Sequence, residues 1–295
     1  MEECQSNIAA MHPKCQLDEE KINFWQACII QCEGLITYAH RMADEAERQA
    51  GACTDTKRRQ ELLTIAENCR VVPENPPCNF QQALQLIWFV HVYFHIEVCT
   101  TANGFGRFDQ YMWPYYKKDV IDEKKITADE ALEMLECFYL KACEVFEVRD
   151  RWYATSFAGY PMWELLMVGG QTPDGKDATN ALSYVCLEAA DLLKTTQPVM
   201  AVRVWDGTPE TLIRKGCEMI QDGQANPGFF NDNIAIQMSL GKGCSIEEAR
   251  DWTIVGCIQP APGGGTTDGS PDAGYVNMGD RKSTRLNSSH GSASR

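Results

Sequence analysis

Two short apolar runs, Met167-Val168-Gly169-Gly170 and Pro198-Val199-Met200-Ala201-Val202-Arg203-Val204-Trp205, are each followed by a stretch with helical apolar spacing. This alternation restricts the fold more than any other feature. Parallel strands can be joined only by a crossover, usually a helix, so strands separated by helices read as an α/β arrangement. The first run enters the turn Pro173-Asp174-Gly175 and precedes a helix from about Ala178 to Lys194; the second precedes a helix starting near Thr208. Everything upstream reads as helix. Leu17 to about Gln49 carries Ile22, Trp25, Ile29, Ile30, Leu35 and Ala39 at helical spacing, and Thr54 to Cys69 forms a second helix. After the rigid connector Val71–Pro77, Asn79 caps a helix reaching to about Cys99 that is apolar nearly all round, and so is expected to be buried. Thr127 and Glu130 make a capping box opening a helix to about Phe146, and Ser245 with Glu248 repeats the device.

Composition excludes several classes of function. The 295 residues carry 27 basic and 41 acidic side chains, a net charge of -14. No basic stripe exists to neutralise nucleic-acid phosphates. The longest apolar run, Leu86 to Val98, is interrupted by His91, His95 and Glu97, so no membrane span is expected. The N-terminus begins with acidic and polar residues and shows no signal peptide. The 14 cysteines include no CxxC pair and read as reduced thiols of a cytoplasmic protein. From Asp280 onward the chain is aperiodic and carries four basic residues against one acid, a net of +3. Asp280–His290 resembles the translation of a common sequencing-library adapter. Residues 280–295 are therefore read as a non-native tail and residues 1–279 as the natural portion.

An apolar run ending in Gly256-Cys257-Ile258-Gln259-Pro260 places one cysteine between two residues unsuited to a continuing helix, so the thiol is expected on a tight loop. By itself this is ambiguous, because a buried cysteine is most often a small packing group. Co-linear blocks remove the ambiguity: Asn75-Pro76-Pro77 with Phe80–Phe89, Gly106-Arg107-Phe108-Asp109-Gln110-Tyr111, Val168–Asn180, Gln197-Pro198, Pro227–Asp232 and the cysteine finger. In this order they resemble the central region of the glycyl radical enzymes of the pyruvate formate-lyase superfamily, from about residue 17 to Gly279.

The resemblance implies a helix-rich part of a ten-stranded α/β barrel in which Cys257 is the catalytic thiol. It implies no bound cofactor. The family instead uses a protein-based glycyl radical, installed by a separate activating enzyme with S-adenosylmethionine and an iron–sulfur cluster. That radical takes hydrogen from the finger cysteine, and the thiyl radical then takes hydrogen from a small-molecule substrate. No glycine loop of the radical type occurs here, so the chain reads as a fragment truncated at both ends, inactive alone and homo-oligomeric at full length.

Departures from the family pattern bear on the substrate. Family eliminases carry a glutamate base two residues after the cysteine, whereas Gln259 cannot accept a proton. The stretch Thr100–Phe105, including the pocket candidate Thr101, lacks an acid before the Gly-Arg-Phe-Asp-Gln block. Phe157, Met162 and Trp163 stand where a polar substrate contact is expected. Together these favour decarboxylation, C–C cleavage or addition on an apolar or aromatic carboxylate, as in an arylacetate decarboxylase or a hydrocarbon-adding succinate synthase. The alternatives are a radical dehydratase or lyase of a small polar substrate of the diol, hydroxyproline or choline type, and a non-catalytic helical scaffold. Arg151 and Arg203 are open to either a carboxylate clamp or a structural ion pair. Glu164 is open to acid–base work or burial as a paired carboxylate. No metal site is assigned: His91 and His95 have ligand spacing, but no HExxH pattern or third ligand accompanies them, so they read as core or hydrogen-bonded histidines. Gly263–Gly269 lacks the ending of a phosphate loop and reads as an active-site loop.

Overall fold

The computed structural model describes residues 1–97, 102–145, 148, 150–156, 162–256 and 258–263, with backbone alone for Tyr153 and Ser156. They all lie in one unit, Met1–Gly265. Four helices open it: α1 (Glu2–Ala10), α2 (Gln16–Ala52), α3 (Thr56–Val71) and α4 (Phe80–Glu97). The long α2 packs its small residues Ala39, Ala43 and Ala46 against Ala66 and Cys69 of α3 and Phe89 of α4. Asn79 accepts from the Gln82 N–H at 2.8 Å and starts α4 as its sequence anticipates. The expectation that α4 is buried all round fails. One face is buried through Phe80, Ala83, Leu84, Phe89 and His91, while Val90, Phe94 and Ile96 remain exposed because no described element covers them.

Two single turns, α5 (Phe108–Tyr111) and α6 (Trp113–Tyr116), run into a π-helical turn at Lys117–Asp122 that sequence reading did not foresee. Thr127 and Glu130 form both halves of the capping box of α7 (Ala128–Cys143). After α8 (Arg151–Ser156) the strands begin: β1 (Leu165–Gly169), α9 (Ala181–Leu193), β2 (Val199–Val204), α10 (Glu210–Gln221) and β3 (Gly228–Asn231). The strands form a parallel sheet in the order β1-β2-β3, with Gly169 opposite Arg203 and Arg203 opposite Phe230. Gly106 adds a parallel bridge to Leu166 on the free side of β1. The helices α11 (Asp232–Gly241) and α12 (Ile246–Arg250) follow, then an antiparallel pair, β4 (Thr253–Val255) and β5 (Gln259–Ala261).

Alternation along the strands sorts two cores. Leu166, Val168, Met200 and Val202 face the layer of α4, α7 and α9, packing with Phe108, Phe138, Leu182 and Leu187. Leu165, Met167 and Ala201 face the other way, against Ala235, Ile236, Trp252 and Ile254. Both faces are covered, as a parallel sheet requires, which is why β1 reads as an unbroken apolar run and β2 as one broken only by Arg203. The β4–β5 pair therefore stands on the sheet face opposite α7 and α9.

Candidate active site

The finger is a β-hairpin. Thr253 pairs with Ala261, Ile254 with Pro260 and Val255 with Gln259. Gly256 enters the reversal at φ 64°, in the left-handed region that costs glycine little, and a Cβ there would stand 3.9 Å from that of Ala102. Cys257 itself lies outside the described residues, as do Thr101 and Phe157. Ile254 is buried, and its N–H and the Thr253 hydroxyl both approach Met167 Sδ, at 3.1 and 3.3 Å, which ties the finger to β1.

The base of the finger is braced by two arginines. Arg203, fully buried on β2, donates from Nε to Asp232 Oδ1 at 2.6 Å, from Nη1 to the Trp252 carbonyl at 3.2 Å and from Nη2 to the Arg250 carbonyl at 2.7 Å. Its guanidinium also lies 4.7 Å from the centroid of the Trp252 ring, whose indole N–H shares Asp232 Oδ1. Burial, and then the nearby Arg107 charge, lower the Arg203 pKa to about 10 although Asp232 pulls it upward. Of the two roles open to Arg203, this geometry supports the structural ion pair: Nε is committed to Asp232 of α11 and both Nη atoms to carbonyls at the finger's base. Arg151 is exposed on α8.

Arg107 repeats the theme, donating to Asp251 Oδ1 at 2.9 Å and to the Gln171 carbonyl at 2.8 Å. In the same block Asp109 is fully buried and accepts from the Gly169 N–H, the Ser183 hydroxyl and Gln110 Nε2. Desolvation still raises its pKa, outweighing those hydrogen bonds. The Gly-Arg-Phe-Asp-Gln block thus locks β1, α9 and the finger's base together.

Near the tip the backbone is strained. Ala102 and Trp163, neither a glycine, adopt φ 70° and 56°, and the Ala102 N–H bonds the Met162 carbonyl at 2.7 Å. Left-handed backbone at non-glycine residues persists only where the surroundings enforce it and collects at functional sites. Gly104 allows this segment to approach, since a Cβ there would meet the Leu165 and Ile254 carbonyls at 3.2 and 3.3 Å. Met162 and Trp163 are half-buried beside these residues, and Gln259 sits in the closing pair of the hairpin.

Next to Trp163 the structure supplies a partner that sequence reading missed. His91 Nε2 and His95 Nε2 lie 2.9 and 3.2 Å from Glu164 Oε1, and 3.2 Å from each other. This third group was invisible to spacing because it arrives 73 positions after His91. Burial pushes the Glu164 pKa up, but the hydrogen bonds and charge of His91 and His95 outweigh it and the net direction is downward.

The comparisons agree with this architecture. The pyruvate formate lyase-like family model matches residues 1–281. The isethionate sulfite-lyase of Nitratidesulfovibrio vulgaris is 38% identical over 261 residues, 88% of this chain but 31% of that protein. A structure of the enzyme of 1,2-propanediol dehydration in Roseburia inulinivorans superposes with TM-score 0.86 at 38% identity, over 89% of this chain and 33% of that one. The glycerol-bound B12-independent glycerol dehydratase of Clostridium butyricum superposes with TM-score 0.85 at 37% identity, over 89% of this chain and 33% of that one. The chain thus spans about a third of the length of these relatives, and its parallel strands and covering helices are part of their α/β barrel fold. With the family model matching nearly the whole chain and the finger, its two arginine braces and the parallel sheet all in place, the protein belongs to the pyruvate formate lyase-like family of glycyl radical lyases and dehydratases.

Proposed function

We propose that Cys257 is the site of a thiyl radical that begins cleavage of a carbon–heteroatom bond in a small organic substrate. The observation that carries this reading is the hairpin: the pair Val255–Gln259 and the left-handed Gly256 flank Cys257, while Arg203 and Arg107 clamp the hairpin's base. Radical abstraction needs the sulfur held near one C–H bond in a site closed to competing reactions, and a braced hairpin serves that need. The sulfur radical takes a hydrogen atom, leaving a thiol and a carbon radical. Loss of the neighbouring heteroatom group follows, and the product radical takes the hydrogen back from the thiol. The glycyl radical and the activating enzyme that installs it are supplied as elsewhere in the family. Cytoplasmic location and self-association at full length belong to the same proposal. Among the described residues no helix is long and apolar enough to cross a membrane.

Carbon–heteroatom cleavage is favoured because the relatives named above act on isethionate, 1,2-propanediol and glycerol. The second reading, decarboxylation or addition on an apolar or aromatic carboxylate, draws on Met162 and Trp163 beside the finger and on Gln259, which cannot serve as a base. It loses Arg203 as a carboxylate clamp. The test uses the full-length polypeptide, activated without oxygen. Cys257→Ser is expected to keep the glycyl radical signal in electron paramagnetic resonance while turnover falls below detection. Turnover that survives the substitution would assign the finger a purely structural role, as in a scaffold. A panel of hydroxyalkyl sulfonates, diols and arylacetates separates the two readings.

A further inference from the structure

We infer that His91, His95 and Glu164 form a binding site for a single divalent transition-metal ion of the zinc type. The inference goes beyond the radical reading and does not depend on Cys257. Positions four apart on α4 place both imidazoles on one helix face. Glu164, the residue before β1, is held against them: its N–H donates to Gln197 Oε1 at 3.0 Å and its carbonyl accepts from the Val199 N–H at 2.9 Å.

The geometry is that of a ligand set. Three potential ligand atoms form a triangle with edges of 2.9, 3.2 and 3.2 Å. Ligands at about 2.0–2.1 Å from a tetrahedral zinc ion stand roughly 3.3 Å apart, so the triangle matches one face of such a tetrahedron to within a few tenths of an ångström. All three side chains are buried, at 4, 7 and 0% exposure. An aromatic shell adds to the seclusion: the rings of Phe105 and Trp88 lie 4.6 and 5.8 Å from that of His91.

Protons alone fit the arrangement poorly. Two ring nitrogens 3.2 Å apart both crowd onto the single oxygen Oε1, while Glu164 Oε2, equally buried, has no hydrogen-bond partner among the described residues. A buried carboxylate oxygen left so is costly. A divalent ion would take one lone pair from each neutral imidazole and charge from the carboxylate, using every group that proton sharing leaves in conflict. Two imidazoles and one carboxylate suit Zn²⁺, Fe²⁺ or Co²⁺ and disfavour Mg²⁺ and Ca²⁺, which prefer oxygen ligands. The ion would tie the C-terminal end of α4 to the start of β1, beside Trp163.

The test takes the full-length protein, prepared without oxygen and stripped with chelator, and titrates it with Co²⁺ and then Zn²⁺. One Co²⁺ per chain is expected, ligated by nitrogen and oxygen in X-ray absorption and displaced by Zn²⁺. Glu164→Gln and His95→Gln are each expected to weaken binding at least about 100-fold, the upper end of what losing only a supporting partner costs. Equal binding by wild type and Glu164→Gln, ligation by sulfur, or no uptake by wild type would each overturn the site. Should the variants fail to fold, the ligand identity in wild type decides alone.

Discussion

Arg203 shows how one buried side chain can brace the loop that carries Cys257. It shares a sheet face with Ala201 and Met167, so it projects toward the finger, and there it meets Asp232, the Trp252 ring and two backbone carbonyls. Space for it exists because residue 170 is glycine: a Cβ at Gly170 would fall 2.3 Å from Arg203 Nε, and the φ of 83° there is itself one that side chains resist. Breaking a buried ion pair strands the remaining charge, so Arg203→Met is expected to destabilise the fold by about 3–5 kcal/mol. Chemical denaturation measures this, and a loss under 1 kcal/mol would show that Asp232 finds other compensation. On the sequence this arginine carried two meanings, the structural ion pair ahead of the carboxylate clamp, because an arginine in an apolar strand marks a buried partner without naming it. Asp232 follows 29 positions later.

Between elements, the crossover helices are joined by a smaller charge network. Asp191 on α9 accepts from Lys215 Nζ of α10 at 2.7 Å and from Gln224 Nε2 at 2.6 Å, and Lys215 also pairs with Glu188. The Lys215 ammonium is the largest influence on Asp191 and holds its pKa below the ordinary 3.8. A carboxylate with a depressed folded pKa stabilises above its unfolded value and loses that contribution as pH falls through the folded one. Asp191→Asn is therefore expected to cost about 0.5–1 kcal/mol at neutral pH, a modest figure for a partly exposed pair. The difference from wild type should close as the pH is lowered below about 4. Stability curves for both proteins at neutral and acid pH check it, and a gap that persists in acid would assign the loss to packing. The helices themselves were legible from caps at Asn79, Thr127 and Ser245, since a cap is a local exchange of hydrogen bonds. The π-helical turn and β3 were not: the former has no local signal, and Gly228–Asn231 is too short to show a period.

At the scale of the molecule, apolar side chains are left uncovered on the first helices: Phe24 and Ile30 on α2, Phe94 and Ile96 on α4. Ile30 and Ile96 line one groove between α2 and α4, exposed apolar surface of this kind marks an interface, and the relatives are about three times as long as this chain. A hydrophobic dye is expected to bind the 295-residue chain severalfold more strongly than a polypeptide of the relatives' length, and Phe24→Ser with Ile96→Ser should reduce the difference. Equal dye binding would mean that these faces stay open in the longer protein. The sequence by itself determined the longer helices, the alternation of strands with helices and the family, and it alone is the source of the proposal for Cys257, because caps, periodicities and co-linear blocks are properties of neighbouring residues. Tertiary structure alone decided that α4 is buried on one face only, that Arg203 and Arg107 brace the finger, and that Glu164 completes a set with His91 and His95. Those outcomes depend on side chains tens of positions apart meeting across packed elements, and no local pattern encodes which distant partner fills a given space.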